Sequence, residues 1–439
     1  MRIAVIGAGI AGNAAAWALS ARHRVVVYDK DLRPGGHSHT VELDYDGRRI
    51  AVDTGFIVYN ELNYPGLTAL FAHLRVETRA SDMSFSVSAD GGRLEWAGRG
   101  RRPAETLDGL FAQRRNLVSP AFLWMLREVA RFNRESRADL AIGALQGLSL
   151  GDYLAQKRFS RRLVRDYLLP MGAAIWSTPA DRMLDFPAQN FVAFFSNHRL
   201  LHPDAERPVW RTVCGGSRTY VEKLCAPFRD QMRLGTRAVA IERGRDGVTV
   251  TDGSGGRDRF DQVVIAAHSD QALAMLADAH ATERAVLAAI RYRPNTVYLH
   301  RDPALMPRRK AAWAAWNFLC GHGRGADGGD IAVTYWMNAL QGIDPACPLF
   351  VSLNPPAAPR ADLTFARFVC EHPQFDTAAF AAQSRLEAIQ GVRRTWFCGA
   401  WTGYGFHEDG LRSGLAVAHA LGAAIPWWRR PAVYAEAAE

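Results

Sequence analysis

Short apolar runs alternate with amphipathic stretches along this chain, and their order predicts a β–α–β unit at the start. Residues 2–6 (RIAVI) and 25–28 (VVVY) have the length and composition of buried strands, and residues 13–19 between them are predicted to be helical. Residues 40–47 (TVELDYDG) and 48–55 (RRIAVDTG) alternate between apolar and polar positions. They meet at Asp46-Gly47, which predicts a β-hairpin.

Helical and strand-like patterns also divide the rest of the chain. Helical spacing of apolar residues recurs at 120–132 and 162–169, within a stretch, 61–205, that is rich in large apolar side chains. Residues 395–422 are predicted to form a strand, a glycine-rich loop and a helix. Further strands are predicted at 237–242, 247–252, 261–267, 296–300, 331–336 and 349–353. We therefore expect an α/β fold with two intertwined domains.

Composition agrees with a large globular protein. The 439 residues exceed what one simple core holds, 48% are hydrophobic and 22% charged, and no apolar run reaches transmembrane length. Because the sequence opens directly on a strand and shows no secretory signal, we expect a cytoplasmic location. The six cysteines have no C-x-x-C spacing, which favours reduced thiols over a disulfide framework or a metal site.

The net charge of +9 is carried almost entirely by arginine. Biased genomic base composition is one explanation, and attraction to anionic lipid surfaces or acidic substrates is another. No nucleic-acid partner is expected, because no basic helix or stacking-aromatic module is present. Residues 426–430 (PWWRR) are predicted to form a surface patch or a docking end. One interpretation of this end is a peripheral contact with the inner face of the membrane.

A glycine motif follows the first predicted strand. Gly7, Gly9 and Gly12 form G-x-G-x-x-G, in which the glycines permit a tight turn, close approach to a pyrophosphate, and close packing of helix and strand. Phosphate charge is favoured at the N-terminus of the following helix. Asp29 ends the second strand, 22 residues after Gly7, where a carboxylate can accept hydrogen bonds from ribose. These features predict a dinucleotide site.

Four features together resemble the FAD-dependent oxidoreductases of the flavin amine oxidase and carotenoid desaturase superfamily. They are the glycine motif, the acid after the second strand, the Arg33-Pro34-Gly35-Gly36 block, and the C-terminal strand, glycine loop and helix. The resemblance spans nearly the whole chain. Within the superfamily the chain is similar to the bacterial "predicted NAD/FAD-binding protein" group, which carries a block like residues 403–411 (GYGFHEDGL). That group is often encoded beside cyclopropane-fatty-acyl synthases.

The resemblance implies the domain organisation. An α/β fold is expected, with a Rossmann-like FAD-binding domain of the three-layer ββα type and an interleaved α+β substrate domain. The FAD-binding domain would comprise residues 1–60, 211–275 and 373–425. The substrate domain would comprise 61–210 and 276–372, and residues 426–439 would form a C-terminal tail.

The same resemblance implies a set of FAD contacts. The glycine motif would hold the pyrophosphate, Asp29 the adenosine ribose and the Val239 backbone the adenine, while the segment up to His37 would run towards the flavin. The C-terminal helix, beginning near Gly410, would direct its N-terminus at the flavin N1–C2=O edge, where its dipole stabilises negative charge. The cofactor-binding residues expected are Gly7, Gly9, Ile10, Ala11, Gly12, Asp29, Lys30, Gly35, Gly36, His37, Val239, Gly399, Asp409, Gly410 and Leu411.

The sequence departs from the family pattern at two places. Ala400 stands where the family has a glutamate after Phe-x-Gly, so Glu408 or Asp409 is expected to take over its contacts. In many amine oxidases a substrate-domain lysine holds a water over flavin N5. The comparable stretch here, residues 293–298 (RPNTVY), has no lysine. Simple amine oxidation with oxygen is therefore not favoured.

The candidate catalytic residues lie in the C-terminal loop. Trp401 and Tyr404 would flank the substrate, with His407 and Glu408 as acid–base candidates, or the loop aromatics simply pack the loop onto the flavin domain. His37 and His39 either line the cofactor site or supply a histidine that moves protons. Their spacing suggests no ligand set, so no metal is expected. Cys398 is interpreted as a small buried hydrophobe, with a covalent flavin link as the alternative.

We expect an FAD-dependent oxidoreductase that exchanges hydride with a hydrophobic small molecule through flavin N5. An unsaturated or modified fatty acyl chain is the first candidate, because the middle of the chain is rich in aromatic residues and because of the genes found beside this group. The alternatives are an amine oxidase acting on a polyamine or amino acid, a flavin-dependent isomerase, and a non-catalytic lipid-binding subunit that keeps FAD as a structural element. The electron acceptor stays open between oxygen, a quinone and others.

Overall fold

The computed structural model describes residues 1–98, 103–202, 207–320 and 332–427. The strands, in chain order, are β1 (Arg2–Ile6), β2 (Arg24–Tyr28), β3 (Thr40–Tyr45), β4 (Arg48–Asp53), β5 (Tyr59–Asn60), β6 (Thr78–Ala80), β7 (Phe85–Ala89), β8 (Leu94–Gly98), β9 (Trp210–Val213), β10 (Met232–Arg233), β11 (Ala238–Arg243), β12 (Val248–Asp252), β13 (Arg257–Phe260), β14 (Gln262–Ile265), β15 (Arg291–His300), β16 (Trp316–Leu319), β17 (Ala332–Trp336), β18 (Phe350–Leu353), β19 (Thr364–Gln374) and β20 (Thr395–Phe397). The helices are α1 (Ile10–Ser20), α2 (Pro65–Leu74), α3 (Pro103–Leu110), α4 (Pro120–Ala141), α5 (Leu150–Gln156), α6 (Arg161–Leu163), α7 (Leu169–Trp176), α8 (Ala180–Met183), α9 (Ala188–Asn197), α10 (Arg218–Cys225), α11 (Ser269–Met275), α12 (Ala281–Leu287), α13 (Met337–Gln341), α14 (Thr377–Gln383) and α15 (His407–Ala420).

A parallel sheet in the order β10-β2-β1-β14-β20 forms the centre of the nucleotide-binding region. Successive residues of β1 point to opposite faces, as the strand pleat requires. Ile3 and Val5 pack with α1, α10 and α15, whereas Ala4 and Ile6 pack with the antiparallel sheet β11-β12-β13. These three layers confirm the predicted ββα organisation.

The second sheet has seven strands in the order β19-β15-β18-β17-β16-β7-β8. It is antiparallel except where β16 runs parallel to β7. Helices α4 and α7 pack near its β7–β8 end, and the β3–β4 hairpin packs near β15 and β18. The predicted hairpin is confirmed, with its turn at Asp46 and Gly47, both at positive φ.

Helices α1 and α15 cross at glycines, and this crossing fixes the C-terminal loop beside the glycine motif. A Cβ on Gly414 would lie 2.1 Å from the Ala11 carbonyl oxygen, and one on Gly410 would lie 2.8 Å from Ile10 Cγ2. Helix α15 begins at His407, three residues before the predicted start near Gly410. The earlier start follows from Asp409, whose carboxylate accepts the Phe406 N–H at the beginning of the helix.

Three elements depart from the predicted domain limits. Helix α2, in the segment assigned to the substrate domain, packs with α1, α10 and α15 in the nucleotide-binding core. Strand β9 joins β5 and β6 in one small sheet across the predicted boundaries at 60 and 210, and β19 continues to Gln374. At the C-terminus, Trp427 stacks on Trp17 of α1 at 5.5 Å, and residues 428–439 of the predicted tail lie outside the described residues. Within the described part of the chain, no helix combines the length and apolar character needed to cross a bilayer.

Candidate active site

One cavity of about 2140 Å³ extends from the turn between β1 and α1 to the face of the seven-stranded sheet. Typical ligand pockets measure roughly 300–1,000 Å³, so this cavity has room for a dinucleotide and a second molecule. Of the predicted cofactor residues, those that line it are Gly7, Gly9, Ile10, Ala11, Asp29, Lys30, Gly36, His37, Val239 and Gly399. The others lie behind this lining and support it: Gly12, Gly35, Asp409, Gly410 and Leu411.

The first end of the cavity is built from backbone. Gly7 has a φ of +109°, and a Cβ on Gly12 would lie 1.8 Å from the Gly7 carbonyl oxygen, so both positions require glycine. Gly9 begins α1 without a side-chain cap, and a Cβ there would meet no protein atom within 4 Å. The first N–H groups of α1, which have no partner within the helix, belong to a turn that borders the cavity at Gly9, Ile10 and Ala11. This arrangement suits an anion such as the pyrophosphate of FAD.

Asp29 lies beside this cradle at the end of β2. Its carboxylate accepts hydrogen bonds from the Ala8 N–H at 2.6 Å and the Asp31 N–H at 2.8 Å. Burial raises the pKa of Asp29 above its ordinary value. The carboxylate fixes the shape of the glycine turn and borders the cavity with Lys30 and Val239, where the ribose and adenine of FAD are expected.

Aromatic side chains of the C-terminal loop border the middle of the cavity. The Trp401 indole N–H donates to the Ala267 carbonyl at 3.2 Å, which fixes the ring against the nucleotide-binding region. The Tyr404 ring packs near Phe194 and Phe380, and its hydroxyl accepts a hydrogen bond from Asn190 Nδ2 at 3.3 Å. Both rings line the cavity, so packing and substrate contact are compatible roles for them.

His407 also borders the cavity, and its side chain belongs to a hydrogen-bonded group. Its Nε2 lies 2.6 Å from the Tyr220 hydroxyl and 3.0 Å from Ser38 Oγ, and its ring stacks on Phe56 with centroids 3.9 Å apart. Burial lowers the pKa of His407 to about 3, so the imidazole is neutral near neutral pH. In this state it acts as a hydrogen-bonding partner of Tyr220 and Ser38.

The two acids that follow His407 support helices instead of facing the cavity. The Glu408 carboxylate accepts the Gly66 and Leu67 N–H groups at 2.8 and 2.9 Å, which caps the first turn of α2. Asp409 accepts the Tyr404 and Phe406 N–H groups at 3.0 and 2.9 Å, and burial raises its pKa to about 7. The geometry therefore does not bring the acid–base candidate Glu408 to the cavity.

The structure pairs two histidines that the sequence keeps far apart. His37 Nε2 and His372 Nε2 lie 2.8 Å apart, although the residues are separated by 335 positions in the chain. Both rings border the cavity. Burial and neighbouring cationic or histidine side chains lower the pKa of His37 to about 4 and of His372 to about 3, so both rings are neutral.

A chain of amides fixes which nitrogen of each ring carries the proton. Asn354 Oδ1 accepts the Thr296 N–H at 2.8 Å, so its Nδ2 donates to Asn295 Oδ1 at 2.7 Å. Asn295 Nδ2 then donates to the Arg293 carbonyl at 3.0 Å and to His372 Nδ1 at 3.3 Å.

The tautomers of the histidine pair follow from this chain. Because His372 Nδ1 accepts, the proton of the neutral ring lies on Nε2, which donates to His37 Nε2. The proton of His37 therefore lies on Nδ1. His37 is thus a neutral hydrogen-bond donor on a ring that borders the cavity, held in this state by residues of β15 and β19 and by Asn354. No spacing in the sequence indicates this pair.

Cys398 is fully buried in the nucleotide-binding core, and burial raises the pKa of its thiol to about 12. In the part of the chain that the structure describes, no group of three or more His, Cys, Asp or Glu side chains is arranged to hold a metal ion. Among the acidic and histidine side chains of the cavity, Asp29 binds backbone N–H groups, His407 contacts hydroxyl groups, and His37 and His372 contact each other.

The three-layer fold and the glycine cradle define a dinucleotide-binding protein. The family model for flavin containing amine oxidoreductases matches residues 10–312, more than two thirds of the chain. The chain belongs to this family. It is an FAD-dependent oxidoreductase, and the cradle at Gly7, Gly9 and Asp29 fits that cofactor.

Several solved structures share the fold. They include a fatty acid isomerase from P. acnes that produces CLA (15% identity, TM-score 0.67), putrescine oxidase bound to putrescine (15%, 0.65) and cyclohexylamine oxidase from Brevibacterium oxydans IH-35A (18%, 0.65). Each alignment covers 96% of this chain and 99% of the other chain. At these identities the likeness establishes the fold alone. A comparison with curated proteins finds no match.

Proposed function

We propose that this FAD-dependent oxidoreductase acts on a hydrophobic chain-like substrate, with an unsaturated or modified fatty acyl chain as the first candidate. The observation that carries the proposal is the apolar lining of the cavity beyond the C-terminal loop, here called the apolar branch. Its walls come from the seven-stranded sheet and from helices α7 and α9.

One face of the sheet forms the first wall of the apolar branch. Cross-strand partners lie side by side on this face, because paired residues in neighbouring strands point the same way. Val351, Tyr335 and Trp316 form one such row, and Leu353, Val297 and Phe368 form another. The helices supply the second wall, through Met171, Ala174, Ile175, Trp176 and Phe194. A hydrocarbon chain bound here gains about 0.8 kcal/mol for each buried CH₂ group.

Residues 293–298 correspond to the stretch that holds a lysine in many amine oxidases, and they contain no lysine. Asn295 lies in this stretch, is fully buried, and has its amide engaged with Arg293, His372 and Asn354. The His37 ring, which carries its proton on Nδ1, borders the cavity. A neutral donor orients a polar atom of cofactor or substrate without attracting a free anion from solvent.

When bound, FAD supplies the hydride-accepting and hydride-donating chemistry at N5. The protein's own residues divide the remaining tasks. The N-terminus of α1 binds the pyrophosphate, and the loop from Gly399 to His407 closes the cavity beside α15. The apolar branch positions the hydrocarbon chain and excludes water, which protects the reaction from competing proton transfer.

The fatty acid isomerase of the same fold supports an acyl substrate, because its name ties this architecture to fatty acids. It also keeps isomerisation open as the form the chemistry takes. A second candidate, oxidation of an amine, is favoured by the aromatic rings of Trp401, Tyr404 and Phe406 along the cavity, since aromatic faces attract cations.

The test is anaerobic mixing of the holoenzyme with a panel of free and esterified fatty acids and a panel of amines. Bleaching of the visible flavin band by lipids, with a dehydrogenated product, supports the proposal. A shifted double bond with the flavin oxidised at the end assigns an isomerase. Bleaching by amines alone assigns an amine oxidase. A flavin that dithionite reduces but neither panel changes, with unaltered lipids, contradicts a catalytic role and favours a lipid-binding subunit.

A further inference from the structure

A group of exposed apolar side chains lies where α4 begins. Leu117 and Val118 are 49% and 81% exposed, and Leu123 and Trp124 near the start of α4 are 43% and 55% exposed. We call these four residues the apolar edge. Phe122, between them, is fully buried against Phe111 and fixes the segment on the protein body.

The local structure explains why the apolar edge faces outwards. Ser119 caps α4 by accepting the Phe122 N–H, and the inward side of the helix is used by Phe122, Met125 and Phe132. Side chains at 123 and 124 lie on the opposite side of the helix, since successive residues are about 100° apart. Single exposed apolar residues are common on monomers, but four within eight positions form a patch of the kind that marks a binding surface.

A basic group lies next to the apolar edge. Arg93, Arg115, Arg308 and Arg309 line a shallow surface cavity of about 440 Å³. With the adjoining Lys310 we call them the basic cluster, and all five are exposed.

Hydrogen bonds hold the loops of the basic cluster together. The Gly92 carbonyl accepts from Gln113 Nε2 at 2.8 Å and from Arg309 Nη1 at 3.2 Å, and Arg115 donates to the Arg93 carbonyl. Arg115 belongs to the same short helix as Leu117 and Val118, so cluster and edge are parts of one surface.

Charge on this surface is unbalanced. Two carboxylates, Asp90 and Glu95, lie among the five cations, and Glu95 is fully buried where it binds Arg309 at 2.8 Å. The Arg127 guanidinium lies 5.4 Å from the centre of the Trp124 ring. A bilayer surface has an apolar acyl boundary beneath a layer of anionic head groups. The aromatic and aliphatic side chains match the acyl boundary, and the cations match the head groups.

We propose that the apolar edge and the basic cluster together dock this protein on the surface of a bilayer that contains anionic lipids. The edge inserts among the acyl chains near the head groups, and the cluster binds lipid phosphates. The contact is peripheral. It rests on the exposed side chains alone and is independent of the substrate proposed above.

The proposed docking surface lies near one border of the large cavity. Helix α3 precedes the apolar edge, and its residues Glu105 and Thr106 border the large cavity while Leu107 is exposed. Arg114, next to Arg115, binds Asp108 of α3 at 2.5 Å, which joins α3 to the docking surface. Docking therefore brings one border of the cavity close to the lipid, where an apolar molecule can enter without crossing water.

Flotation of the full-length holoprotein with lipid vesicles tests the proposal without any turnover. Vesicles of phosphatidylcholine are compared with vesicles that contain about one third phosphatidylglycerol. We expect binding to the anionic vesicles that falls steeply as salt is raised, because the attraction of each cation is screened.

Two double variants separate the two parts of the surface. Val118→Asp with Trp124→Asp removes the apolar edge, and Arg308→Glu with Lys310→Glu reverses part of the basic cluster. The charge reversal is expected to weaken vesicle binding at least about tenfold, because one cation near such a surface contributes about fivefold. The apolar-edge variant is expected to weaken it at least about tenfold as well, because two inserted apolar side chains are replaced by carboxylates. Matched controls are Ile142→Asp and Arg284→Glu with Arg385→Glu, which change exposed residues elsewhere and are expected to stay within about twofold.

Flavin content and Tm confirm that each variant is folded. The proposal is overturned if wild-type protein binds both kinds of vesicle equally weakly, or if the control variants lose as much binding as the surface variants. It is also overturned if the protein is a dimer that Val118→Asp with Trp124→Asp converts to monomers without changing vesicle binding, because the surface would then join two copies. Inorganic phosphate that abolishes vesicle binding at constant ionic strength would assign the cluster to a soluble anion.

Discussion

The two ends of the cavity are built in different ways. At the cofactor end, the glycine turn is built from the backbone of residues close in sequence, with Gly7 at positive φ and open space beside Gly9. The apolar branch consists of side chains from five strands and two helices that are distant in sequence. Backbone presents N–H groups to a phosphate through a few recurring glycine-rich turns, whereas many combinations of apolar side chains enclose a hydrocarbon. The contrast explains why the cofactor class is readable from a motif and the substrate is not.

The largest effect is expected from Gly9→Val at the cofactor end. Gly9 has extended φ and ψ and free space around its Cβ direction, so the apoprotein is expected to keep its Tm. The added side chain points into the pyrophosphate cradle, so flavin binding is expected to be lost. Flavin absorbance per protein and thermal melting measure the two effects.

Gly12→Ala is the matched control for Gly9→Val. Its Cβ would overlap the Gly7 carbonyl, so both Tm and flavin content should fall. Normal flavin content in Gly9→Val would contradict the placement of FAD at the α1 turn.

Ile175→Asp tests the side-chain end. Ile175 lies on α7 in the apolar branch, and a carboxylate there must be desolvated against an acyl chain. We expect kcat/KM for an acyl substrate to fall about tenfold or more, with flavin content unchanged, whereas Ile175→Leu stays within about twofold. An increase in kcat/KM for an amine would favour the second candidate function, since the new carboxylate attracts a cation.

Asn295→Asp tests the amide chain that fixes which nitrogen carries the proton in His372 and His37. A carboxylate only accepts hydrogen bonds, so His372 must place its proton on Nδ1, and the His37 proton then moves to Nε2. Histidine ¹⁵N chemical shifts at pH 8 are expected to show both tautomers reversed, with a cost in stability of about 1–3 kcal/mol for the lost bond to Arg293. His300, bound to Ser352 elsewhere, is the internal control. Unchanged shifts for His37 would contradict the amide chain.

Asp409→Asn is expected to change the pH dependence of stability. The folded-state pKa of Asp409 is raised to about 7, so the folded protein holds a proton that the unfolded chain has released between pH 4 and 7. The contribution of Asp409 is therefore complete below pH 4 and falls by up to about 1.4 kcal/mol per pH unit as the pH rises towards 7. Melting profiles of Asp409→Asn are expected to lose this slope and keep both backbone bonds. An unchanged slope would assign it to other groups.

The smallest effect is expected from Glu408→Gln, which asks whether this residue supports α2 or transfers protons. One of the two bonds to Gly66 and Leu67 is lost, so stability should fall by about 1 kcal/mol while kcat is unchanged. A catalytic acid or base would instead lower kcat by about 10²–10⁴. Tm and kcat measured on the same samples separate these outcomes.

Local patterns predicted the first part of the molecule well. Strands β1 and β2, the hairpin of β3 and β4, and the glycine turn depend on neighbouring residues, and they lie close to the predicted positions. The acids of the C-terminal block were less predictable. Glu408 binds the N-terminus of α2, about 340 residues earlier in the chain, and α2 itself was not predicted. The sequence around a charged residue in a cofactor loop looks the same whether its side chain faces the cavity or caps a helix behind the loop.

The sequence by itself determined the cofactor class, because a glycine at positive φ, a second with open space and an acid after β2 are local requirements of a phosphate-binding turn. It also determined that large apolar residues would fill the middle of the chain. The tertiary structure alone decided which of them border the cavity, that His372 and Asn295 orient His37, and that the apolar edge and the basic cluster share one surface. These features depend on contacts between distant segments, and the spacing of residues along a chain carries no record of which segments the fold brings together.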